Sequence, residues 1–248
     1  MTDVAARAFP GATSITRLSV YDSAGPDGLR GGSPHLHTAS TEAYVVVSGS
    51  GAIHTLDASG YHETALEPGG VVWFSPGTIH RAINHDRLEV LVVMSNAGLP
   101  EAGDAVMTFD DDALVDPEAY RAAATLPSLA EVPRERVERA AADRRDRAVN
   151  GFLRLRDAAV AGNLVPLEHF YASAARLLAG RAEQWQLLAA AGIVAEADST
   201  RADLHSLSLG SAGRLSDGRL RVGTPNPGEK RFGMCGLLGT YNVSGAAQ

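Results

Sequence analysis

Between residues 14 and 94 the apolar side chains fall in short runs cut by turn residues, and beyond Phe109 they fall at three- and four-residue steps. The first pattern is that of many short antiparallel strands, and the second is that of amphipathic helices. The spacing predicts strands over residues 14–21, 43–47, 52–56, 71–74, 79–83 and 88–94. Gly49-Ser50-Gly51, Ala58-Ser59-Gly60, Pro68-Gly69-Gly70 and Pro76-Gly77 stand between them as turns, supplying positive φ or a preset bend. A sandwich or small barrel closes such a set of strands.

In the second half, Asp116-Pro117-Glu118 reads as N-cap, first-turn proline and first-turn acid of a helix that ends before Pro127. A longer helix is predicted over residues 133–161, where Val137, Ala141, Ala148, Phe152, Leu155 and Ala159 form one apolar face and Gly162-Asn163 stops it. Leu167, Phe170, Tyr171, Ala174, Leu177 and Leu178 mark a third helix, and Trp185, Leu188 and Ala189 a short fourth. From Leu204 onward the chain turns glycine-rich, with residues 204–209 alternating, 220–222 strand-like and 224–228 a turn, so a weakly structured β tail is expected. The organisation is thus a β-barrel domain over residues 1–110, an α-helical segment over 111–200 and a tail over 201–248. The tail reads as an extension that adds strands or docks on a neighbouring subunit, or as a lid over the barrel mouth.

Composition narrows the class. A 248-residue chain that is 45% hydrophobic and 21% charged is an ordinary globular sequence. Its one cysteine, Cys235, excludes an internal disulfide. The longest apolar stretch, residues 187–195, is broken by Gly192 and is too short to span a bilayer. The first ten residues lack a basic region followed by an apolar core. No membrane association and a cytoplasmic location are therefore expected. The net charge of −7 arises in residues 1–110, which hold 5 basic and 12 acidic side chains, and argues against nucleic acid as a partner. The arginines between Arg134 and Arg156 are offset by Glu131, Glu135, Glu138, Asp143, Asp146 and Asp157, which reads as a solvated helix face.

The chemistry concentrates in His35, His37, Glu42 and Gly49, followed about thirty residues on by Gly77, His80 and Asn84. Residues two apart on a strand share a face, so His35 and His37 present both imidazoles to one side. A carboxylate just past the turn and a fourth ligand from a separate hairpin close such a pair into a three-His, one-carboxylate site.

These residues resemble the two motifs of the cupin superfamily, small antiparallel β-barrels with a metal at the barrel mouth. The first motif matches in His35, His37, Glu42 and Gly49; its leading glycine falls on Leu29, with Gly28 and Gly31 either side. The second matches in Gly69, Gly77, His80 and Asn84, with Ser75 at the usual proline position and Pro76 next to it. These departures touch turns and leave the ligand positions filled. The resemblance covers roughly residues 12–100 and implies a mainly β fold with α: a cupin-type, jelly-roll-like antiparallel barrel plus an α-helical segment. It also implies one divalent transition metal on His35, His37, Glu42 and His80, with Fe first and Mn, Zn, Ni or Cu as alternatives. Members with such ligands include dioxygenases, sugar-related isomerases and lyases. An oxygenase-type enzyme acting on a small polar molecule is placed first, a redox-neutral isomerase or lyase second and a non-catalytic ligand-binding cupin third. An anionic substrate is among the candidates, because a divalent ion in this ligand set keeps net positive charge. Barrels of this kind often pair through edge strands, so a homodimer is expected.

Other side chains carry weaker expectations. Tyr44, two residues beyond Glu42, either shares its inward face and relays protons with Glu42, or is a core tyrosine. Trp73 and Phe74 must face opposite ways, one lining the cavity and one packing under a helix. His54 reads as a partly exposed strand residue, with an inward proton carrier as the alternative. Arg81 should point away from the interior, and Cys235 reads as a buried or half-buried thiol.

Overall fold

The computed structural model describes residues 9–243. The expectation about the first ten residues falls largely outside that span, as do the outer ends of the barrel and tail segments. Residues 14–21 give β1 (Ser14–Val20) and residues 71–74 give β5 (Val71–Phe74). Residues 43–47 and 52–56 are two halves of one strand, β3 (Glu42–Asp57), and residues 79–83 and 88–94 are two halves of another, β6 (Ile79–Met94). Gly49-Ser50-Gly51 is therefore a bulged corner within a strand, where the β3–β6 register shifts between Val46 and Gly51. Gly49 holds φ +76°, and a Cβ there would lie 2.2 Å from the Asp86 carbonyl oxygen across the corner. At this bend both strands turn back, which is how Tyr44 and Val46 come to share one core with Ile53 and Ala82.

Further strands are β2 (His35–His37), β4 (Gly60–Leu66), β7 (Ala105–Met107), β8 (Thr224–Pro225), β9 (Arg231–Phe232) and β10 (Gly236–Asn242). The sheet order is β4-β3-β6-β1-β10-β8, with β2 joining β6 to β7 and β5 lying on β3 beyond β4. The pairings between these strands are antiparallel. The tail thus supplies β10 to the free edge of β1, in register from Thr16–Thr240 to Val20–Gly236.

The helical expectations map onto α1 (Pro117–Ala124), α2 (Arg134–Val160), α3 (Val165–Leu178) and α4 (Ala182–Ala189). Asp116 caps α1 as its sequence predicts, accepting from the backbone N–H groups of Glu118 and Ala119. Residues 204–209 are not β: residues 204–208 end α5 (Ala195–Ser208) and Leu209 is its C-cap, and α5 continues α4 through a single π turn at Ala190–Val194. Extending an existing helix avoids a new nucleation step, and Leu204 and Leu207 stay exposed, so burial did not decide this segment. No described helix is long and apolar enough to cross a membrane.

Two cores result. One fills the barrel with Leu18, Tyr44, Val46, Ile53, Phe74, Val90 and Cys235. The other lies between the barrel wall and the helices, joining Leu36, Leu56 and Ile79 to Phe152, Phe170 and Trp185. The arginines of α2 serve this packing rather than solvent alone: Arg145 is buried and donates to the carbonyls of Ser23 and Ala24, and Arg144 donates to those of Ala124 and Gly233. The solvated face is present at Arg136, Arg139 and Arg154, which are exposed, but does not extend to Arg144 and Arg145.

Candidate metal centre

β2 is only three residues long, and its pleat divides its side chains between the two cores. Leu36 enters the core under the helices, while His35 and His37 face the barrel. β2 lies between β6 and β7, with His35 directly opposite His80 and His37 opposite Ala105. Glu42 is the first residue of β3, and the bend in β3 and β6 carries it back over His80. His35, His37, Glu42 and His80 are all buried, and one ligand atom from each lies within 4.8 Å of all the others. Four side chains from two separated sequence motifs thus converge, and the cluster could hold a metal ion.

Each imidazole is turned by a partner at Nδ1. His35 Nδ1 lies 2.9 Å from the Ser33 carbonyl oxygen and His80 Nδ1 lies 3.1 Å from that of Thr78. A carbonyl can only accept, so in both rings Nδ1 carries a proton, and in the neutral ring the lone pair is left on Nε2. His37 Nδ1 meets the Asp104 carboxylate at 2.6 Å, and the other Asp104 oxygen accepts from the Ser40 backbone N–H. Asp104 was not singled out in the sequence: it lies 67 residues from His37, in no spacing that marks a site.

The centre of the cluster is not internally satisfied. Glu42 Oε2 is 3.0 Å from His80 Nε2 and 3.2 Å from His37 Nε2. Yet Glu42 Oε2 and His80 Nε2 are both buried without a hydrogen-bond partner. Burial works against a charged His37, but Asp104 and Glu42 outweigh it and raise this imidazole to about 10. Burial also opposes ionisation of Glu42, and the neighbouring His80 and His37 overcome it to hold the carboxyl below its usual range. His35, desolvated and flanked by His80 and His37, is pushed well below the ordinary imidazole value.

Around the cluster, the pair on β5 divides differently from the expectation. Phe74 faces inward with its ring 4.0 Å from that of His80, but Trp73 is 72% exposed on the outside, with no helix over it. Tyr44 faces the barrel and is fully buried; its hydroxyl donates to Cys235 Sγ at 3.5 Å. Burial, with Cys235 and Glu42 nearby, pushes the Tyr44 phenol well above its usual value. Cys235 is buried, and its thiol is pushed up to about 12 chiefly by desolvation.

His54 and Arg81 are paired across β3 and β6 on the face opposite His80. Arg81 therefore points away from the interior, but it is fully buried there under the Asp27 loop, donating to Asp27 and, at 3.1 Å, to the Gly32 carbonyl. His54 is buried on the same outer face, 2.9 Å from the Tyr61 hydroxyl. It is neither an inward proton carrier nor a partly exposed strand residue.

A cleft of about 700 Å³ opens beside the cluster, between β5 on one side and β3 and β4 on the other. Four of its lining residues adjoin the cluster. Thr41 precedes Glu42, Thr55 stands opposite His80, Phe74 packs on His80 and Thr78 supplies the carbonyl that orients it.

Residues 25–94 match the family model described as a cupin domain. Among solved structures, the chain is similar to Streptomyces Pac13, described as a nucleoside dehydratase and also solved with uridine, at 17% identity. That match covers 40% of this chain and 69% of Pac13 with a TM-score of 0.31. It is also similar to the capsular polysaccharide assembling protein CapF from Staphylococcus aureus, at 19% identity over 38% of this chain and 27% of CapF, with a TM-score of 0.29. Among curated proteins, none matches this chain.

Proposed function

We propose that this protein is a divalent-metal-dependent enzyme acting on a small polar molecule, with oxygenase-type chemistry, a reading supported by the match of residues 25–94 to the cupin domain model. In this reading His35, His37, Glu42 and His80 are the ligands. The observation that carries it is the pair of buried, unpartnered atoms Glu42 Oε2 and His80 Nε2 at the centre of three imidazoles. Leaving such groups unpaired costs about 1–3 kcal/mol each, and more for a charged one, so a cluster built this way fits a cation that satisfies them together. Three imidazoles and one carboxylate suit Fe first in this reading, with Mn, Zn, Ni or Cu as alternatives. When bound, the ion supplies Lewis acidity and, in the case of iron, redox access to dioxygen.

The chain's own residues prepare that chemistry. Asp104 orients His37 and favours its use as a ligand, in the way outer carboxylates tune metal-binding imidazoles. Phe74 covers one face of His80 and keeps water from it. Tyr44, kept protonated by its burial, lies close to Glu42 and Cys235 and is the residue assigned to relay a proton with Glu42. Oxygen uptake by iron-loaded protein, measured over a panel of small polar substrates, should exceed that of a His80→Ala variant for at least one substrate. Uptake that never exceeds the variant contradicts the oxygenase chemistry, and turnover without oxygen moves the site to the isomerase or lyase class.

A further inference from the structure

The cleft beside the metal centre has a composition of its own. Thr41, Thr55, Thr64 and Thr78 line it, Asp57 is its one charged side chain, and Trp73 of β5 is also among its lining residues. Among the described residues that line it, none is lysine, arginine or histidine. Hydroxyl side chains both donate and accept and so match ligand hydroxyls in either sense. An anion entering would find no cationic side chain on the walls and a carboxylate at Asp57, which faces like charge at a cost. The Trp73 indole, 72% exposed, offers an apolar face beside this polar wall. A volume of about 700 Å³ is in the range that holds a whole small ligand.

We infer that the ligand taken by this cleft is a neutral, multiply hydroxylated molecule with one apolar face, its hydroxyls on the threonines and its apolar face against Trp73. This names the substrate class of the metal site and rests on the function proposed above. It narrows the sequence reading, in which the charge of the ion left an anionic substrate open. Two sources share the chemistry, a sugar-type polyol and a polyhydroxylated aromatic ring.

The test is a binding titration of the full-length, metal-loaded protein with two matched pairs, glucose against glucose 6-phosphate and catechol against 3,4-dihydroxybenzoate. The expected result is that at least one neutral member binds ten-fold or more tightly than its anionic partner. That preference should shrink in Asp57→Asn, and the neutral ligand should lose several-fold in affinity in Trp73→Ala. Which pair responds identifies the source. An anionic member that binds as tightly as its neutral partner overturns the inference, as does the absence of binding by both neutral probes at 10 mM. Metal content is measured on the same samples, so a protein that holds no metal fails the proposed function. The neutral-over-anionic preference of the cleft is then read from the same titration on the metal-free chain.

Discussion

At His37 a single imidazole is held between two carboxylates, Asp104 at Nδ1 and Glu42 at Nε2. The first sets the ring and the second shares the centre of the cluster, so the two should respond differently to mutation. Asp104→Asn keeps the ligand set and removes the charge behind it, which should weaken metal binding by about 10- to 100-fold while the fold persists. Competition with a chelator of known affinity measures this, and unchanged affinity would show that Asp104 only supports the backbone at Ser40. The four inner residues were legible in the sequence because a pleat of period two and a short motif fix which side chains share a face. Asp104 was not, since its place beside His37 comes from the pairing of β2 with β7, a three-residue contact that leaves no periodic trace. Arg81 makes the same point from the other side: alternation gave its direction, but not that the Asp27 loop would bury it.

Among the elements, the corner of β3 shows where reading by turn residues goes astray. Glycine next to serine reads as a chain reversal, but here it bends a strand that stays paired to β6 on both sides of the bulge. Gly49 and Gly77 both have positive φ, +76° and +89°, yet only Gly49 faces backbone at contact distance, with nothing within 4 Å of a Cβ at Gly77. Gly49→Ala should therefore cost several kcal/mol, from about 1–3 kcal/mol of backbone strain plus overpacking of about the same size. Gly77→Ala should cost the strain alone, and denaturant midpoints compare the two directly. Equal losses would mean that the corner gives way freely. The strand β4 escaped the sequence reading for a different reason. Its central residues Tyr61, His62, Glu63 and Thr64 are polar or amphipathic and exposed or half-exposed, so it forms by pairing with β3 and not by burying an apolar stripe. β10 was hidden by the glycines at 236 and 239 in a stretch where the sequence signals a loop.

For the whole molecule, the barrel and the helices share a core, and the strand that carries His35 and His37 has its third side chain in it. Leu36 sits between His35 and His37 and packs in the same cluster as Phe152 of α2. Phe152→Ala, at a site 1% exposed, should destabilise the protein by about 3–5 kcal/mol. Helix content followed by far-ultraviolet dichroism and barrel integrity followed by metal release should then fall in one transition. Two separate transitions would show that the helical layer is an independent unit. Net charge and composition argued against some function classes at this scale, and the motif spacing pointed to the barrel. The way the helices cover one barrel face and leave Trp73 outside depends on contacts between distant segments, which no local pattern records.

The quantity that bears most directly on this account is the metal content of the protein purified without a histidine tag, determined by elemental analysis beside His80→Ala and Glu42→Gln prepared in parallel. About one divalent transition metal ion per chain in the wild type, with most of it lost in both variants while their dichroism spectra stay native, is the predicted result. A wild-type protein that takes up no such ion even when it is supplied, or variants that retain it in full, would contradict the account.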